Sequence, residues 1–377
     1  QCIKGDLNME QFKYMMNNPL NVPVVPNRPL LSKHEKIIKG KILLRYNTKN
    51  EFVENYLFEE KKIKYDIFYQ NDQSKSHIFN KHMQFMYKIL KSNFVKGSKL
   101  IEVGCGKGKF LSIVKRDKYF EYAGYDSTYE GKDNRIFNRY LKDNDRIKAD
   151  VVILRHVLEH IYNPYQFLEK LKKIFGKTKI FIEVPNYNWI LKNNAFYDIT
   201  YEHVNYFSPK SLGLIFNNKY YKKGLCFNHQ YQYILSNLNY LSKIFKKNYN
   251  NKNYWKFLDF YKTFPTVKFQ IKKYHKLSLN YKNVYIWGAA TKGCMFLMHC
   301  YYEKKLLNKV KNAVDINILK CNKYLPISKI KIITKNKFFK KVDKKNDLLI
   351  VSNPNYLIEI KKELEKKNIK NLKIVNL

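Results

Sequence analysis

The fold is decided by Lys99-Leu100-Ile101-Glu102-Val103-Gly104-Cys105-Gly106-Lys107-Gly108, a short apolar strand that runs into a glycine-rich turn. The apolar residues 110–114 then open a helix, and residues 121–126 form a second predicted strand that ends at Asp126. Glycines let the backbone turn tightly and approach a bulky ligand, and an acid at the tip of the second strand can accept hydrogen bonds from both ribose hydroxyls. The pattern therefore predicts a βαβ unit that binds a nucleoside.

The spacing of the turn separates two kinds of cofactor. A dinucleotide enzyme would carry GxGxxG, with a helix N-terminus that faces a pyrophosphate. This chain has GxGxG with an acid inside the preceding strand, which suits S-adenosylmethionine, a cofactor with a sulfonium and an amino group but no phosphate. The predicted cofactor-binding residues are Glu102, Gly104, Gly106, Gly108 and Asp126. The alternative is a nucleotide-binding or vestigial turn of the Rossmann type.

Further strands place polar side chains at one edge of the same sheet. Residues 151–154 and 179–184 are apolar segments on either side of a predicted helix, which indicates a parallel, doubly wound α/β sheet. Arg155, His156 and His160 follow the first of these strands, at the carboxyl edge where such sheets bind ligands. A single histidine there would more often be structural. Two of them favour a ligand site, and we expect Arg155 and His156 to contact the cofactor.

A second candidate site lies beyond the strand that Pro185 ends. The segment Tyr201-Glu202-His203-Val204-Asn205-Tyr206-Phe207-Ser208 places a glutamate beside a histidine, which could act as a general base whose charge the neighbour tunes. The alternative is a solvated loop in which Ser208 caps a helix over 210–216. The two interpretations are compatible if the residues before Ser208 face a cleft.

The chain divides into four predicted segments. They are a small N-terminal module (1–76), a cofactor-binding domain (77–228), a helical connector (229–280) and a second α/β domain (281–377). The last domain has its own glycine turn from Gly288 to Gly293, and Asp315 stands where a ribose-binding acid would be. This turn is either a second nucleotide site or, because GxxxxG is a weak signal, a structural feature that shapes a cleft.

The formal net charge of +41 raises the question of nucleic-acid binding. Nearly all of the excess is lysine spread along the whole chain, whereas dedicated phosphate recognition favours arginine. We attribute the charge to compositional bias and expect a small anionic substrate, with nucleic acid as the less favoured partner.

Cysteine usage and hydropathy point to the cytoplasm. Six cysteines without a CxxC pair argue against a disulfide framework and against a zinc site built from cysteine alone. No apolar run reaches the roughly 18 residues that a membrane span needs, and the first residues contain no apolar segment of a signal peptide.

The motifs together resemble the nucleotide-sugar C-methyltransferase-like family, over nearly the whole chain and in the same domain order. The segments that carry the resemblance are 65–71 (YDIFYQN), 102–110, 155–167, 183–186, 201–208, 286–293 and 353–360. The resemblance implies a class I (Rossmann-like) methyltransferase domain that uses S-adenosylmethionine, an N-terminal zinc-binding module and a C-terminal Rossmann-like domain. Better-characterised relatives methylate C3 of a 4-keto deoxysugar nucleotide.

The resemblance also implies roles for individual residues. The turn glycines and Asp126 would hold the cofactor. His203 would be the base that removes a proton α to a ketone, with Glu202 as its neighbour. His160 and Tyr69 would stabilise the enolate. Hydrogen-bond donors at the developing oxygen would supply much of the rate acceleration.

The N-terminal module departs from the family pattern. Relatives carry two CxxC pairs where this chain has Cys2 with Gly5 and Asn47 with Asn50. The zinc site is therefore expected to be lost while the fold of the module persists, and we expect no metal.

A second departure leaves the reaction open. The family's sugar C-methyltransferases have a tyrosine two positions before the Glu-His pair, where this chain has Thr200, with Tyr201 next to Glu202. Three hypotheses follow: C-methylation of a nucleotide-linked keto sugar in surface polysaccharide or deoxysugar biosynthesis, O- or N-methylation of a sugar or other small molecule, and RNA binding or modification.

Overall fold

The computed structural model describes residues 9–66 and 68–377, so Cys2 and Gly5 lie outside the described residues. The strands are β1 (Leu20–Pro23), β2 (Lys39–Ile42), β3 (Leu44–Asn47), β4 (Phe52–Asn55), β5 (Lys99–Val103), β6 (Glu121–Tyr125), β7 (Ile136–Phe137), β8 (Val151–Arg155), β9 (Lys179–Pro185), β10 (Asn205–Phe207), β11 (Lys222–Cys226), β12 (Tyr231–Asn237), β13 (Trp255–Phe257), β14 (Asn283–Trp287), β15 (Val310–Asp315), β16 (Ile332–Thr334), β17 (Asp347–Val351) and β18 (Lys373–Asn376).

Helices alternate with these strands through the central and C-terminal parts of the chain. The α-helices are α1 (Met9–Asn17), α2 (His77–Lys91), α3 (Lys109–Asp117), α4 (Pro164–Phe175), α5 (Tyr187–Lys192), α6 (Pro209–Leu214), α7 (Lys243–Asn250), α8 (Phe260–Thr263), α9 (Val267–Ser278), α10 (Thr291–Tyr302), α11 (Lys335–Lys341) and α12 (Leu357–Lys366). Short 3₁₀ helices lie at Glu60–Lys62, Leu158–His160, Phe196–Asp198, Leu238–Tyr240, Lys252–Tyr254, Leu307–Lys309, Ile318–Lys320 and Pro354–Tyr356.

The central domain is built on a seven-stranded sheet in the order β11-β12-β9-β8-β5-β6-β7. Five neighbouring strands, β9 to β7 in that order, run parallel, and β12 pairs antiparallel with β9. Val151 and Ile153 of β8 pack into one core with α2 and α3, whereas Val152 and Leu154 pack into another with α4. The sheet is thus covered by helices on both faces, which confirms the predicted doubly wound fold. Burial on both faces also explains why β8 is an almost continuous apolar run.

The prediction of a helical connector over 229–280 is wrong for residues 231–237. Residues 231–237 form β12, which joins the central sheet between β9 and β11. The first α-helix of this segment begins only at Lys243, and β13 separates it from the next α-helix. The sequence YQYILSN lacks a clear period, and pairing with two neighbouring strands decides its conformation.

The N-terminal residues form a sheet with distant parts of the chain. The four strands have the order β10-β4-β3-β13, so strands from residues 205–207 and 255–257 flank an N-terminal hairpin. Phe52 of β4 packs against Phe207 of β10 with ring centroids 5.1 Å apart. Strand β10 directly follows Glu202 and His203, so this sheet fixes the position of the Glu-His loop.

The C-terminal residues form a second α/β unit, as predicted. Its five parallel strands have the order β16-β15-β14-β17-β18, with β14 in the middle. The turn after β14 leads into α10, whose N-terminus faces the central domain through Lys292 and Asp198. Within residues 9–66 and 68–377, no helix is long and apolar enough to cross a bilayer.

Candidate active site

A cleft of about 1230 Å³ lies between N-terminal residues in the range 58–76, the carboxyl edge of the central sheet and the C-terminal unit. Ligand pockets commonly enclose about 300–1,000 Å³, so this cleft can hold more than one small molecule. The predicted site residues that line it are Tyr69, Glu102, Gly104, Gly106, Asp126, Arg155, His156, His160, Glu202 and His203. The structure thus brings ten of the eleven predicted site residues together, and Gly108 is the exception.

The glycine turn needs its glycines for two different reasons. Gly104, Gly106 and Gly108 all have positive φ, at 74°, 52° and 67°, where other residues are strained. A Cβ on Gly104 would lie 2.5 Å from Cγ2 of Val157, and one on Gly108 would lie 2.6 Å from Cδ1 of Ile136. Gly106 has open space beside it. Gly108 therefore does not line the cleft, and it allows the turn to pack closely against Ile136.

Asp126 follows β6 and holds the turn in place. Its Oδ2 accepts a hydrogen bond of 2.7 Å from the Gly106 amide, and its Oδ1 accepts from the amide and hydroxyl of Thr128. Oδ2 retains a further acceptor position, and the side chain is only partly buried. The arrangement fits an acid that both orders the loop and accepts hydrogen bonds from ribose hydroxyls.

A chain of buried charges runs below the turn. Arg155 donates from Nε to Glu183 Oε2 over 2.8 Å, and its Nη1 lies 4.0 Å from Glu102 Oε1. Burial raises the pKa of Glu102 to about 7, against the opposing charge of Arg155. Burial also opposes ionisation of Glu183, yet Arg155 and His156 hold the pKa of Glu183 well below its usual value.

Among these buried charged groups, Glu102 Oε2 and Arg155 Nη2 have no hydrogen-bond partner. Buried polar atoms without partners are rare in folded proteins, and both side chains line the cleft. An acceptor and a donor of this kind fit the ammonium and carboxylate groups of an amino acid. Together with the nucleoside features of the turn and Asp126, they fit the two ends of S-adenosylmethionine.

His156 has positive φ (54°) and turns the chain sharply after β8. Its Nε2 lies 3.5 Å from Glu183 Oε1, and its Nδ1 lies 3.4 Å from Glu159 Oε1. Although burial opposes the cation, Glu183 and Glu159 raise the pKa of His156 to about 9. His156 is therefore an imidazolium at neutral pH, a fixed positive charge in the wall of the cleft.

The second predicted cluster lies on the neighbouring wall. The rings of His160 and His203 meet edge to face, with centroids 4.8 Å apart. His160 Nδ1 lies 2.8 Å from the backbone oxygen of Glu202, and Tyr69 donates its hydroxyl to Glu202 Oε2 over 3.3 Å. Burial lowers the pKa of His160. Burial, followed by electrostatic repulsion from the neighbouring His160 and His156, holds the pKa of His203 well below its usual value.

Glu202 stays protonated near neutral pH. Burial raises its pKa to about 8, and its carboxyl is almost inaccessible to solvent. The cluster therefore contains two neutral imidazoles and a neutral carboxylic acid at the cleft wall. Such groups can accept a proton, donate one, or donate a hydrogen bond to a developing oxyanion.

Tyr201 and Thr200 do not line the cleft. Tyr201 is fully buried against Phe58, and its hydroxyl accepts a hydrogen bond of 2.8 Å from the Glu59 amide. Thr200 is also fully buried, and its hydroxyl accepts from the His203 amide. The neighbouring Ser208 caps α6 through a capping box, as the sequence predicts. The loop is thus structural on one side and faces the cleft on the other.

Several cleft residues were not identified from the sequence. Glu159 and Tyr65 contact the histidine cluster, and Lys292 forms an ion pair with Asp198 across the boundary between the C-terminal and central units. Glu159 adjoins the predicted His160, which is a signal that could have identified it. The other three have no local signal, because their partners are far away in the sequence.

Asn47 and Asn50, which stand where the family resemblance would place metal ligands, are both buried. The Asn47 amide donates to the backbone oxygen of Asn248 and accepts from the Asn50 amide nitrogen. The Asn50 side chain donates to the backbone oxygen of Phe245 over 2.9 Å and accepts from Asn248. The two side chains thus connect the hairpin to α7 by hydrogen bonds. Cys2 and Gly5 lie outside the described residues.

Asp315 also has a structural role. Its Oδ2 accepts from the Ala289 amide over 3.0 Å, and its Oδ1 accepts from the Asn317 amide over 2.8 Å. Lys320 lies 3.9 Å from its Oδ2 and donates to Asn27 of the N-terminal residues. These contacts order the turn after β14 and favour the interpretation that the C-terminal glycine turn shapes the cleft.

Comparisons with known proteins place two domains on the chain. Residues 75–219 match the family described as a methyltransferase domain, and residues 246–376 match the family described as a C-methyltransferase C-terminal domain. No curated protein matches the chain.

The solved structures that resemble this chain each match less than half of it. A SAM dependent methyltransferase from Aquifex aeolicus is 14% identical over 45% of this chain and 100% of its own, with a TM-score of 0.31. Magnesium protoporphyrin IX methyltransferase from Synechocystis PCC 6803 with bound SAH is 14% identical over 45% of this chain and 88% of its own, with a TM-score of 0.34. An S-adenosylmethionine-dependent methyltransferase from Clostridium acetobutylicum is 11% identical over 42% and 90%, with a TM-score of 0.33.

Proposed function

We propose that this chain, an S-adenosylmethionine-dependent methyltransferase of the C-methyltransferase-like family with a class I (Rossmann-like) central domain, methylates a carbon α to the ketone of a nucleotide-linked keto sugar. The observation that carries the proposal is the meeting of His160, His203 and the neutral Glu202 on the wall of the same cleft that contains the glycine turn. Removal of an α proton needs a neutral base, and the resulting enolate needs hydrogen-bond donors at its oxygen.

The cofactor-binding residues would be those that line the cleft near the turn. Glu102 and Arg155 would hold the amino-acid end, and Gly104, Gly106 and Asp126 the nucleoside end. Bound there, S-adenosylmethionine supplies an electrophilic methyl group, whose transfer leaves the bonding electron pair on sulfur. The protein's part is to orient both ligands, exclude water and hold the proton that the acceptor loses.

The size and composition of the cleft support a second, large ligand. Its volume of about 1230 Å³ exceeds that of a usual single-ligand pocket, and residues of all three units line it. A nucleotide-linked sugar has a reacting ring and a long anionic extension, and the extension can reach toward the C-terminal unit. We propose roles in surface polysaccharide or deoxysugar biosynthesis, in the cytoplasm, where the five described cysteines would remain unpaired as they are here.

One observation favours a second candidate, O- or N-methylation of a sugar or other small molecule. Thr200 stands where sugar C-methyltransferases would carry a tyrosine, and the neighbouring Tyr201 points its hydroxyl at Glu59 instead of the cleft. O-methylation needs a base for a hydroxyl proton but no donors for an enolate. The protonated Glu202, which lines the cleft as a possible donor, still favours the carbon reaction.

Transfer of labelled methyl from S-adenosylmethionine to a panel of nucleotide sugars, with total RNA as competing acceptor, tests the proposal. We expect label in a 4-keto deoxysugar nucleotide, located on carbon by NMR. Label on oxygen or nitrogen would support the second candidate, and label in RNA would refute both. The G104V variant is the control, because the new side chain would collide with Val157 and prevent cofactor-dependent transfer.

A further inference from the structure

The two histidines of the cluster have different surroundings, and the difference separates their roles. Given the proposed function, we infer that His160 Nε2 is the atom that takes the α proton, and that His203 instead donates its N–H to the enolate oxygen. This assignment reverses the roles that the sequence suggests for the pair.

The tautomer of His160 is fixed by its hydrogen bond. A backbone carbonyl can only accept, so the contact of 2.8 Å to the Glu202 oxygen requires the proton on Nδ1. The Tyr65 hydroxyl lies 3.3 Å from the same nitrogen. In the neutral ring Nε2 then carries the free lone pair, which is what a general base needs.

Glu159 is placed to stabilise the imidazolium that forms when His160 takes a proton. Its carboxylate is almost fully buried, and neither oxygen makes a hydrogen bond. A carboxylate oxygen of Glu159 and a ring nitrogen each of His160 and His203 all lie within 4.8 Å of one another. The contact of 3.4 Å to His156 Nδ1 is within ion-pair range but lacks hydrogen-bond geometry. The carboxylate thus keeps capacity for a second cation.

His203 lies among positive charges. His156 is an imidazolium, and Lys292 is held beside Asp198 in the same cleft. Burial, followed by these charges, holds the pKa of His203 well below its usual value, whereas Glu159 partly opposes the effect of burial on the pKa of His160. A second positive charge on His203 is therefore unfavourable. A neutral imidazole can still donate its one N–H to an oxyanion.

The step balances in protons and electrons. The C–H bond α to the ketone breaks, its electron pair forms the enolate, and the proton bonds to His160 Nε2. His160 then carries the positive charge beside Glu159, and the enolate oxygen carries the negative charge beside His203. After methyl transfer the products leave the cleft, and His160 then releases the proton to bulk solvent.

Deuterium exchange tests the assignment without the methyl donor. A 4-keto deoxysugar nucleotide is incubated in D₂O with the full chain, and exchange α to the ketone is followed by NMR. His160→Asn keeps an N–H for the Glu202 carbonyl but removes Nε2, and we expect exchange to fall at least about 100-fold. His203→Gln keeps an N–H donor without a base, and we expect a fall of about 10-fold or less. Binding of S-adenosylmethionine by each variant shows that it is folded.

The pH profile provides a second measurement. Glu159→Gln removes the charge that favours the His160 cation, so the acid limb of the exchange rate should move to lower pH and the maximal rate should fall about 10-fold. A merely structural role for Glu159 would lower the rate without moving the limb, which would overturn its part in the assignment.

Three results would overturn the assignment of the two histidines. A loss in His203→Gln equal to or larger than the loss in His160→Asn would return the role of base to His203, while the proposed function stands. Exchange that EDTA stops and Zn²⁺ restores would make the cluster a metal site. A wild-type chain that transfers methyl to the sugar's oxygen and exchanges no α proton would refute the carbon reaction itself, and with it this inference.

Discussion

Replacement of Glu202 by glutamine should stabilise the protein at alkaline pH and change it little at acidic pH. In the folded state burial raises the pKa of this carboxyl from 4.5 to about 8. Between these two values the unfolded chain releases the proton and the folded chain retains it. The free energy of unfolding therefore falls as pH rises through this window, and a glutamine, which has no proton to lose, avoids the loss.

The size of the effect follows from the width of the window. A rise of about 3.5 pH units corresponds to about 5 kcal/mol between pH 4 and pH 9, which is a large part of the stability of a typical domain. Glu102 also titrates in this range, with a pKa of about 7, but it is present in both proteins and cancels in their difference. Glutamine preserves the size of the side chain and can still accept from Tyr69.

Urea unfolding of both proteins at pH 5, 7 and 8.5, followed by circular dichroism, measures the difference. We expect the free energy of unfolding of Glu202→Gln to exceed that of the wild type by an amount that grows with pH. Glu130→Gln is the matched control, because Glu130 is exposed at the edge of the same cleft. If the free energies of unfolding of Glu202→Gln and wild type differed by a constant amount across this pH range, Glu202 would be ionised in the cleft, and the reasoning from burial would be refuted.

Three further outcomes are expected. Gly104→Ala should weaken S-adenosylmethionine binding at least about 10-fold in calorimetry, because φ is +74° and a Cβ would lie 2.5 Å from Val157; unchanged affinity would contradict a cofactor role for the turn. Asp126→Asn should weaken the same binding about 10-fold, since the variant keeps only one side-chain oxygen as an acceptor. Asn50→Ala should lower the free energy of unfolding by about 1–3 kcal/mol, because it leaves the Phe245 carbonyl unsatisfied, and a chelator should not change the unfolding of the wild type.

The sequence predicts those parts of the site that depend on neighbours in the chain. The glycine turn and Asp126 belong to one βαβ unit, and their geometry follows from residues less than thirty positions apart. Gly108 shows that even this motif does not predict which of its glycines line the cleft. The motif does not reveal that Ile136, from β7, fills the space behind it and keeps it from the cleft.

Long-range pairing decides the rest. Glu183 lies inside the apolar strand β9, and only the register of β9 with β8 places it opposite Arg155. The partner of Glu183 on α2 is His82, 101 positions earlier in the chain. Nothing local indicates that β10 pairs with β4, although this pairing fixes the loop that carries Glu202 and His203. Local patterns identify candidate residues, and tertiary contacts determine which surface each of them faces.

The side chain of Gln70 connects the two sides of the cleft. Its Oε1 accepts from Lys107, within the glycine turn, over 3.2 Å and from Asn317 of the C-terminal unit over 3.4 Å. Its backbone amide donates to Asn27, which contacts Thr291 at the start of α10. Gln70 thus connects the glycine turn to the opposite wall of the cleft. Under the proposed function, a methyl donor and an acceptor that both change this connection would alter each other's affinity by the same factor.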